Sequence, residues 1–205
     1  MDGSEKRGRK RSFEPEAVLD QAMQVFWRQG YAGTSYSDLT AATGLNKPSL
    51  YAAFGDKEAL FAAALERYST GPNADAVAAF EQTPDFRAAT EAMLRNYTDF
   101  YTAPDAPPGC LILTSLSEAA APDFPPALYD KLHSAAGHAT AAFTRRIARA
   151  ASDGDLPERF RSPEGQAALH NYLTTFSLGI ASAARAGVSR DKLAQAVTLA
   201  LGVLA

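Results

Sequence analysis

Glycine and proline divide this chain into pieces of helical length, and that division limits what it can fold into. After Pro15, a residue suited to a first helical turn, the apolar residues Val18, Ala22, Val25 and Phe26 fall at helical spacing over residues 15–29, and Gly30 ends the pattern. Ser35 followed by Asp38 has the form of a capping box that opens a second helix, "YSDLTAAT", which Gly44 closes. Asn46 is placed to cap a third helix that runs to Phe54, and Asp56 to cap a fourth from Lys57 to about residue 69. The β-branched alternating runs that mark strands are missing, so the fold class expected is all-α.

Gly71 and Pro72, in "TGPNADAV", are the most plausible domain boundary, and longer helices are expected beyond it. They cover about residues 83–102, 110–120, 126–152 and 163–187, with a last helix from residue 189 to the C-terminus. A chain of 205 residues with 46% apolar content can bury one sizeable core or two small ones. The start, "MDGSEKRGRKR", has no apolar segment of the signal-peptide kind. The apolar C-terminal stretch "LAQAVTLALGVLA" is shorter than the roughly 20 residues a bilayer demands. No membrane partner is therefore expected, and a cytoplasmic location is. The single cysteine, Cys110, excludes an internal disulfide framework and fits a reducing compartment.

A net charge of -3 means that any nucleic-acid-binding surface must be local. Lys6, Arg7, Arg9, Lys10 and Arg11 crowd into one polar arm, residues 1–12, which reads either as a solvated tail or as a contact to a charged partner. The third helix is more informative. At about 100° per residue, Leu50 and Phe54 share one side, with Leu45 just before them, and anchor the helix. Pro48, Ser49, Ala52 and Ala53 form a small-residue side that suits a groove. Lys47 projects from the first turn, where free N–H groups and the helix dipole already favour an anion. Tyr51 lies at the edge, its ring able to pack while its hydroxyl reaches outward. Two short helices joined by "GLN" describe a helix-turn-helix whose second helix enters the major groove of DNA; the alternative, favoured for an arbitrary chain, is a plain helical bundle in which "NKPSLY" is only a capped turn.

The stretch "VLDQAMQVFWRQGYAGTSYSDLTAATGLNKPSLYAAFGDKEALF", residues 18–61, resembles the DNA-binding domain of the TetR family of bacterial transcriptional regulators. The similarity runs through Phe26 and Gly30, Gly33-Thr34-Ser35, Gly44-Leu45, Leu50-Tyr51, Phe54, Lys57-Glu58 and Leu60-Phe61. It implies an N-terminal helix-turn-helix domain over residues 13–70, comprising three helices and a connecting helix, and a helical effector-binding and dimerisation domain over residues 74–205. It further implies that Thr34, Ser35 and Tyr36 lie near DNA phosphates at the head of the second helix. Lys47, Pro48 and Ser49, with Asn46 before them, would lead the recognition helix into the groove, Tyr51 would bond a phosphate, and Lys57 would meet the backbone from the next helix. Pro48 departs from the Gly or other small residue often found there; it removes a donor and offers a rigid apolar edge for a thymine methyl. In this setting the arm residues Arg9, Lys10 and Arg11 become candidates for an adjacent minor groove.

The resemblance also implies a homodimer in which the last two long helices pair with those of a second copy. Gly179, Ala183 and Gly187 recur every four residues, with Ser182 and Ala186 adjoining, so that a second helix can approach closely; packing against the final helix of the same chain would use the same face. A dimer would call for an imperfectly palindromic double-stranded operator. A pocket for an unknown small-molecule effector is expected among Tyr97, Phe100, Tyr101, Cys110, Leu113, Thr114, Tyr172 and Phe176, although such aromatics build core more often than pocket. Cys110 follows Pro107-Pro108-Gly109 at an expected helix start, where a thiol's pKa falls, and "PPGCLI" resembles a stretch found in TetR-like regulators, some of which sense electrophiles or oxidants. A buried, inert cysteine is the alternative. His133, His138 and His170 lack the spacing that converges on one ion, so neither a metal nor another cofactor is expected. The leading reading is a DNA-binding repressor rather than an enzyme; its rival is an all-helical carrier or enzyme with an accessory N-terminal bundle.

Overall fold

The computed structural model describes residues 13–205, so Arg9, Lys10 and Arg11 lie outside the described residues. The helices are α1 Pro15–Gly33, α2 Tyr36–Thr43, α3 Lys47–Phe54, α4 Lys57–Thr70, α5 Pro72–Gln82, α6 Phe86–Tyr101, α7 Leu111–Glu118, α8 Pro126–Asp153, α9 Pro163–Arg185 and α10 Arg190–Ala200. Short 3-10 turns occupy Glu158–Phe160 and Leu201–Leu204. Among the described residues there is no strand, and no helix is long and apolar enough to cross a membrane.

The helix starts and stops of the first seventy residues follow the expected chemistry. Ser35 accepts from the Asp38 amide while the Asp38 carboxylate accepts from the Ser35 amide, which completes the capping box of α2. Gly44 ends α2 at φ 67°, a left-handed conformation that costs glycine little. The side chains of Asn46 and Asp56 accept from the Ser49 and Ala59 amides and so cap α3 and α4. Beyond residue 70 the expectations are less complete. Gly71-Pro72 is a joint rather than a long break, because Pro72 opens α5 at a position where its missing N–H is no loss. Thr83 belongs to the end of α5, and Asp85 caps α6.

Two apolar cores follow from this order. In the first, Val18, Ala22, Val25 and Phe26 of α1 meet Leu39, Leu50, Leu60, Phe61 and Leu65, with Phe26 edge-on to Phe61 at 5.1 Å. Each of the Val, Leu and Phe side chains contributes about 1.5–3 kcal/mol on burial. Leu111 of α7 and Leu128 and Leu132 of α8 belong to this same core, so packing continues across the connection at Gly71. The second core gathers Phe80, Phe86, Met93 and Leu94 with Phe143 and Ile147, Leu169 and Leu173, and Leu193 and Val197. α8, 28 residues long, serves both cores.

The second core also encloses a charge. Arg146 is 2% exposed and donates to the Thr83 and Pro84 carbonyls at 2.9 and 2.7 Å, with Asp155 at 3.9 Å and the Phe86 ring 5.2 Å away. Burial pushes its pKa down. The guanidinium thereby ties the turn between α5 and α6 to α8.

Candidate nucleic-acid interface

α3 is held by its inner side and open on its outer one. Leu50 is buried, Leu45 and Phe54 are half-buried against the first core, and Lys47, Pro48 and Ala52 are exposed; Ser49 and Ala53 are half-buried between the two sides. Tyr51 is 45% exposed, and its ring stacks on that of Tyr36 with centroids 5.4 Å apart. The Lys47 ammonium lies 4.3 Å from the Tyr36 centroid and 5.9 Å from the Tyr51 centroid. A cation over two ring faces is held electrostatically while its charge stays at the surface. Burial, then the neighbouring Tyr51 hydroxyl, pushes Tyr36 up to about 12. Lys47, Tyr36 and Tyr51 therefore arrive together as one preformed edge from two helices.

Other residues expected here are occupied by the fold. The Thr34 side chain is 2% exposed, its hydroxyl donating to the Gly30 carbonyl at 2.6 Å. The Ser35 hydroxyl donates to Asp38 at 2.6 Å, and the Asn46 side chain caps α3. Lys57 donates to the Tyr31 and Thr34 carbonyls at 3.0 and 2.9 Å, lying 4.3 Å from the Tyr31 ring centroid. Two of its three donors are thus turned inward, and burial lowers its pKa. Tyr31, Thr34, Ser35, Tyr36, Tyr51, Asp56, Lys57 and Glu58 line a cleft of about 460 Å³ beside the edge. Tyr31 and Glu58 were not among the site residues expected from the sequence; Tyr31 follows a glycine near the end of α1, a place that periodicity assigns to a turn.

The residues expected in an effector pocket fall into two groups. Tyr97 and Tyr101 are buried and stacked at 5.6 Å, while Phe100 is half-buried and meets Tyr101 at 5.6 Å and Trp27 of α1 at 5.3 Å. Cys110 is half-buried at the start of α7 and accepts, through its carbonyl, from the Thr114 hydroxyl at 2.9 Å. Burial, then Cys110 nearby, raises Tyr97 to about 12 and pushes Tyr101 well above its ordinary 10. Leu113 packs partly against the second core. Tyr172 stacks on Phe176 and turns to α10, donating to the Ala200 carbonyl at 3.0 Å.

On α9, Ile180, Ala181 and Ala184 point inward, while Gly179, Ser182 and Ala186 are exposed and Ala183 is half-buried. Leu178, 46% exposed, and Leu199 of α10, 81% exposed, are large apolar side chains left at the surface. Among the histidines, His133 meets the Tyr129 carbonyl at 3.0 Å and His170 the Thr144 hydroxyl at 3.2 Å. Among the described residues no group of three or more His, Cys, Asp or Glu is placed to hold a metal ion.

Comparison with known proteins bears on this arrangement. The sequence profile described as "Bacterial regulatory proteins, tetR family" matches residues 18–64. The HTH-type transcriptional repressor ComR of Escherichia coli (strain K12) is 39% identical over 115 residues, 53% of this chain and 52% of ComR, so the match spans about half the length of that relative. The uncharacterized HTH-type transcriptional regulator YezE of Bacillus subtilis (strain 168) is 28% identical over 197 residues, 96% of this chain and 99% of YezE. Among solved structures, a cysteine-substituted form of the TetR family transcriptional regulator CifR, complexed with 26 bp double-strand operator DNA, is 32% identical with a TM-score of 0.84; the match covers 97% of this chain and 100% of that one.

Proposed function

The chain belongs to the TetR family of bacterial transcriptional regulators, and from that premise we propose that it is a cytoplasmic repressor that binds a palindromic double-stranded operator as a homodimer. The observation that carries this reading is the preformed edge of α2 and α3, where Lys47 lies over Tyr36 and beside Tyr51 with Pro48 and Ala52 exposed next to it. Lys47 supplies the cation, the Tyr51 hydroxyl a donor to a phosphate, and Pro48 an apolar edge for a thymine methyl. Ser35 and Tyr36 serve the backbone at the head of α2, and Asn46 and Ser49 hold the head of α3. Lys57 contributes its remaining donor, whereas Thr34 contributes by fixing the turn rather than by touching DNA. Arg9, Lys10 and Arg11 take the adjacent minor groove.

Leu178, Gly179, Ser182 and Ala186 on α9, with Leu199 on α10, supply the face for a second copy, since two large apolar side chains would otherwise remain in water. A two-fold dimer places its recognition helices about 34–36 Å apart, one turn of DNA. The effector enters beside Tyr97, Phe100, Tyr101 and Cys110, either as a small molecule or as a thiol-reactive compound that modifies Cys110, with Leu113, Thr114, Tyr172 and Phe176 around it. Release follows if it prefers a conformation in which the two recognition helices no longer match the half-sites.

A gel shift against DNA upstream of its own gene tests the DNA reading. Specific binding should weaken in Lys47→Ala and Tyr51→Phe, with the logarithmic salt slope of Lys47→Ala smaller by about one. Failure to bind any genomic fragment would overturn it. Alkylation of Cys110 that leaves operator affinity unchanged would eliminate the thiol-reactive route.

A further inference from the structure

α1 is interrupted near its end by Gly30, at φ 77° and ψ 176°. In an unbroken helix the amides of Tyr31 and Ala32 would donate to the carbonyls of Trp27 and Arg28. Here the two halves of those rungs have partners of opposite charge from distant parts of the chain. Glu118, the last residue of α7, accepts from the Tyr31 amide at 2.7 Å and the Ala32 amide at 3.4 Å. Arg185, the last residue of α9, donates to the Trp27 and Arg28 carbonyls, both at 3.2 Å. Bonds from ionised side chains to amides and carbonyls are the stronger kind, and here they replace what the helix would otherwise supply.

The surroundings fit this exchange. The φ of 77° is strained for any residue but glycine, and a Cβ at residue 30 would push the Glu118 carboxylate out of its place. The Trp27 indole donates to the Gly109 carbonyl at 2.9 Å, which fixes the same end of α1 to the start of α7. On the other side of the opening, Lys57 bonds the Tyr31 and Thr34 carbonyls, and the next residues are Ser35 and Tyr36 of the α2 head.

We infer that the opened turn at Gly30 is a socket in which Glu118 and Arg185 act as positioning residues, fixing the angle at which the α2–α3 head meets DNA. Glu118 connects that angle to α7, which Cys110 directly precedes; Arg185 connects it to α9, which carries the proposed dimer face. Glycine adopts both left- and right-handed conformations, so withdrawal of the two side chains lets the Trp27–Tyr31 and Arg28–Ala32 rungs close and turns the head relative to the dimer axis. The inference rests on the reading of the chain as a dimeric operator-binding protein.

The test uses the full chain and a duplex that the wild type selects from a random-sequence pool, compared with the same duplex carrying one extra base pair between its half-sites. Wild type should discriminate against the insertion by about tenfold or more, because each head is held at one angle. Glu118→Gln, Arg185→Ala and Gly30→Ala should bind the selected duplex about tenfold more weakly, as expected when charged hydrogen bonds are lost, and should discriminate about threefold or less. A general folding defect would instead weaken both duplexes alike; such parallel loss, or unchanged affinity and discrimination, overturns the inference. Arg185 is exposed, so Arg185→Ala remains informative where a variant at the more enclosed Gly30 fails to fold. A wild type that selects no duplex overturns the DNA reading itself, whereas a wild type that selects one while the variants match it overturns only the role given to Glu118 and Arg185.

Discussion

At the N-terminal end, α2, α3 and α4 each start with a side chain bonded back to the helix, from Ser35, Asn46 and Asp56, as α6 and α9 do from Asp85 and Ser162; α1, α5, α7, α8 and α10 start with none. The two sets differ in what holds them. α2 and α3 are eight residues each, too short to be stable in isolation, and each buries one large aliphatic residue, Leu39 or Leu50. Their ends are satisfied locally, whereas α7, equally short but without a capping side chain, packs on both cores. α8, at 28 residues, needs less from its ends because it contributes side chains to both cores. A recognition element that has to leave one side open depends on its caps, whereas the body that supports it carries side-chain caps at α6 and α9 only and depends on burial.

The largest effect should come from the place where that contrast fails. Phe26 and Phe61 lie in a core that also takes Leu111, Leu128 and Leu132, so the head leans on burial supplied by α7 and α8. Phe26→Ala should cost about 3–5 kcal/mol. If the shared core makes one cooperative unit, urea unfolding followed by Trp27 fluorescence and by circular dichroism should give coincident curves for wild type and variant. An early, separate transition of Trp27 would mean that the head is stabilised on its own terms.

Next in size is the buried cation. Arg146→Ala leaves the Thr83 and Pro84 carbonyls without their donor inside the second core, a loss of about 3 kcal/mol. Arg146→Met, which keeps much of the packing, should recover part of that loss in a denaturant titration. Equal stability of the two variants would assign the role of Arg146 to its hydrogen bonds alone.

These two effects mark what could and could not be read from the residues. The capped head was legible almost residue by residue, since Ser35 with Asp38, Gly44, Asn46 and Asp56 act within a few positions of themselves. Arg146 gave no such signal: an arginine in an amphipathic helix reads as solvated, and the two carbonyls it bonds are more than sixty positions away. Gly30 was legible as a helix stop but not as the seat of Glu118, and Lys57 was legible as a cation but not as one turned inward to Tyr31 and Thr34. α5 was obscured because Gly71-Pro72 reads as a break, while the same proline is a good first residue for a helix. Chemistry that acts at short range survives in the sequence; chemistry made by folding exists only once distant residues have been brought together.

A smaller effect sharpens the contrast directly. Asn46→Ala and Asp56→Ala each remove one cap bond from the head and should each lower stability by about 1 kcal/mol, with the apolar residues of the second core untouched. Thermal unfolding measures the loss. Asn46→Ala should also weaken operator binding beyond its effect on stability, because the cap fixes the first turn that carries Lys47.

The smallest effect isolates one charge of the capping box. The hydroxyl of Ser35, then its amide, holds the Asp38 carboxyl below its ordinary 3.8. A carboxyl whose pKa is lower in the folded state than in the unfolded chain releases its proton more readily when folded, so its contribution to stability is fully present above the unfolded value. It fades as the pH falls through 3.8 and is gone once the pH has passed below the lowered folded value. Asp38→Asn keeps the shape of the box and removes the charge, so the variant should be slightly less stable than wild type near neutral pH. In melting temperatures taken stepwise into acid, the difference should close in that window. A gap that stays constant with pH would mean that Asp38 stabilises α2 by shape and hydrogen bonding, with no part played by its charge at the positive end of the helix.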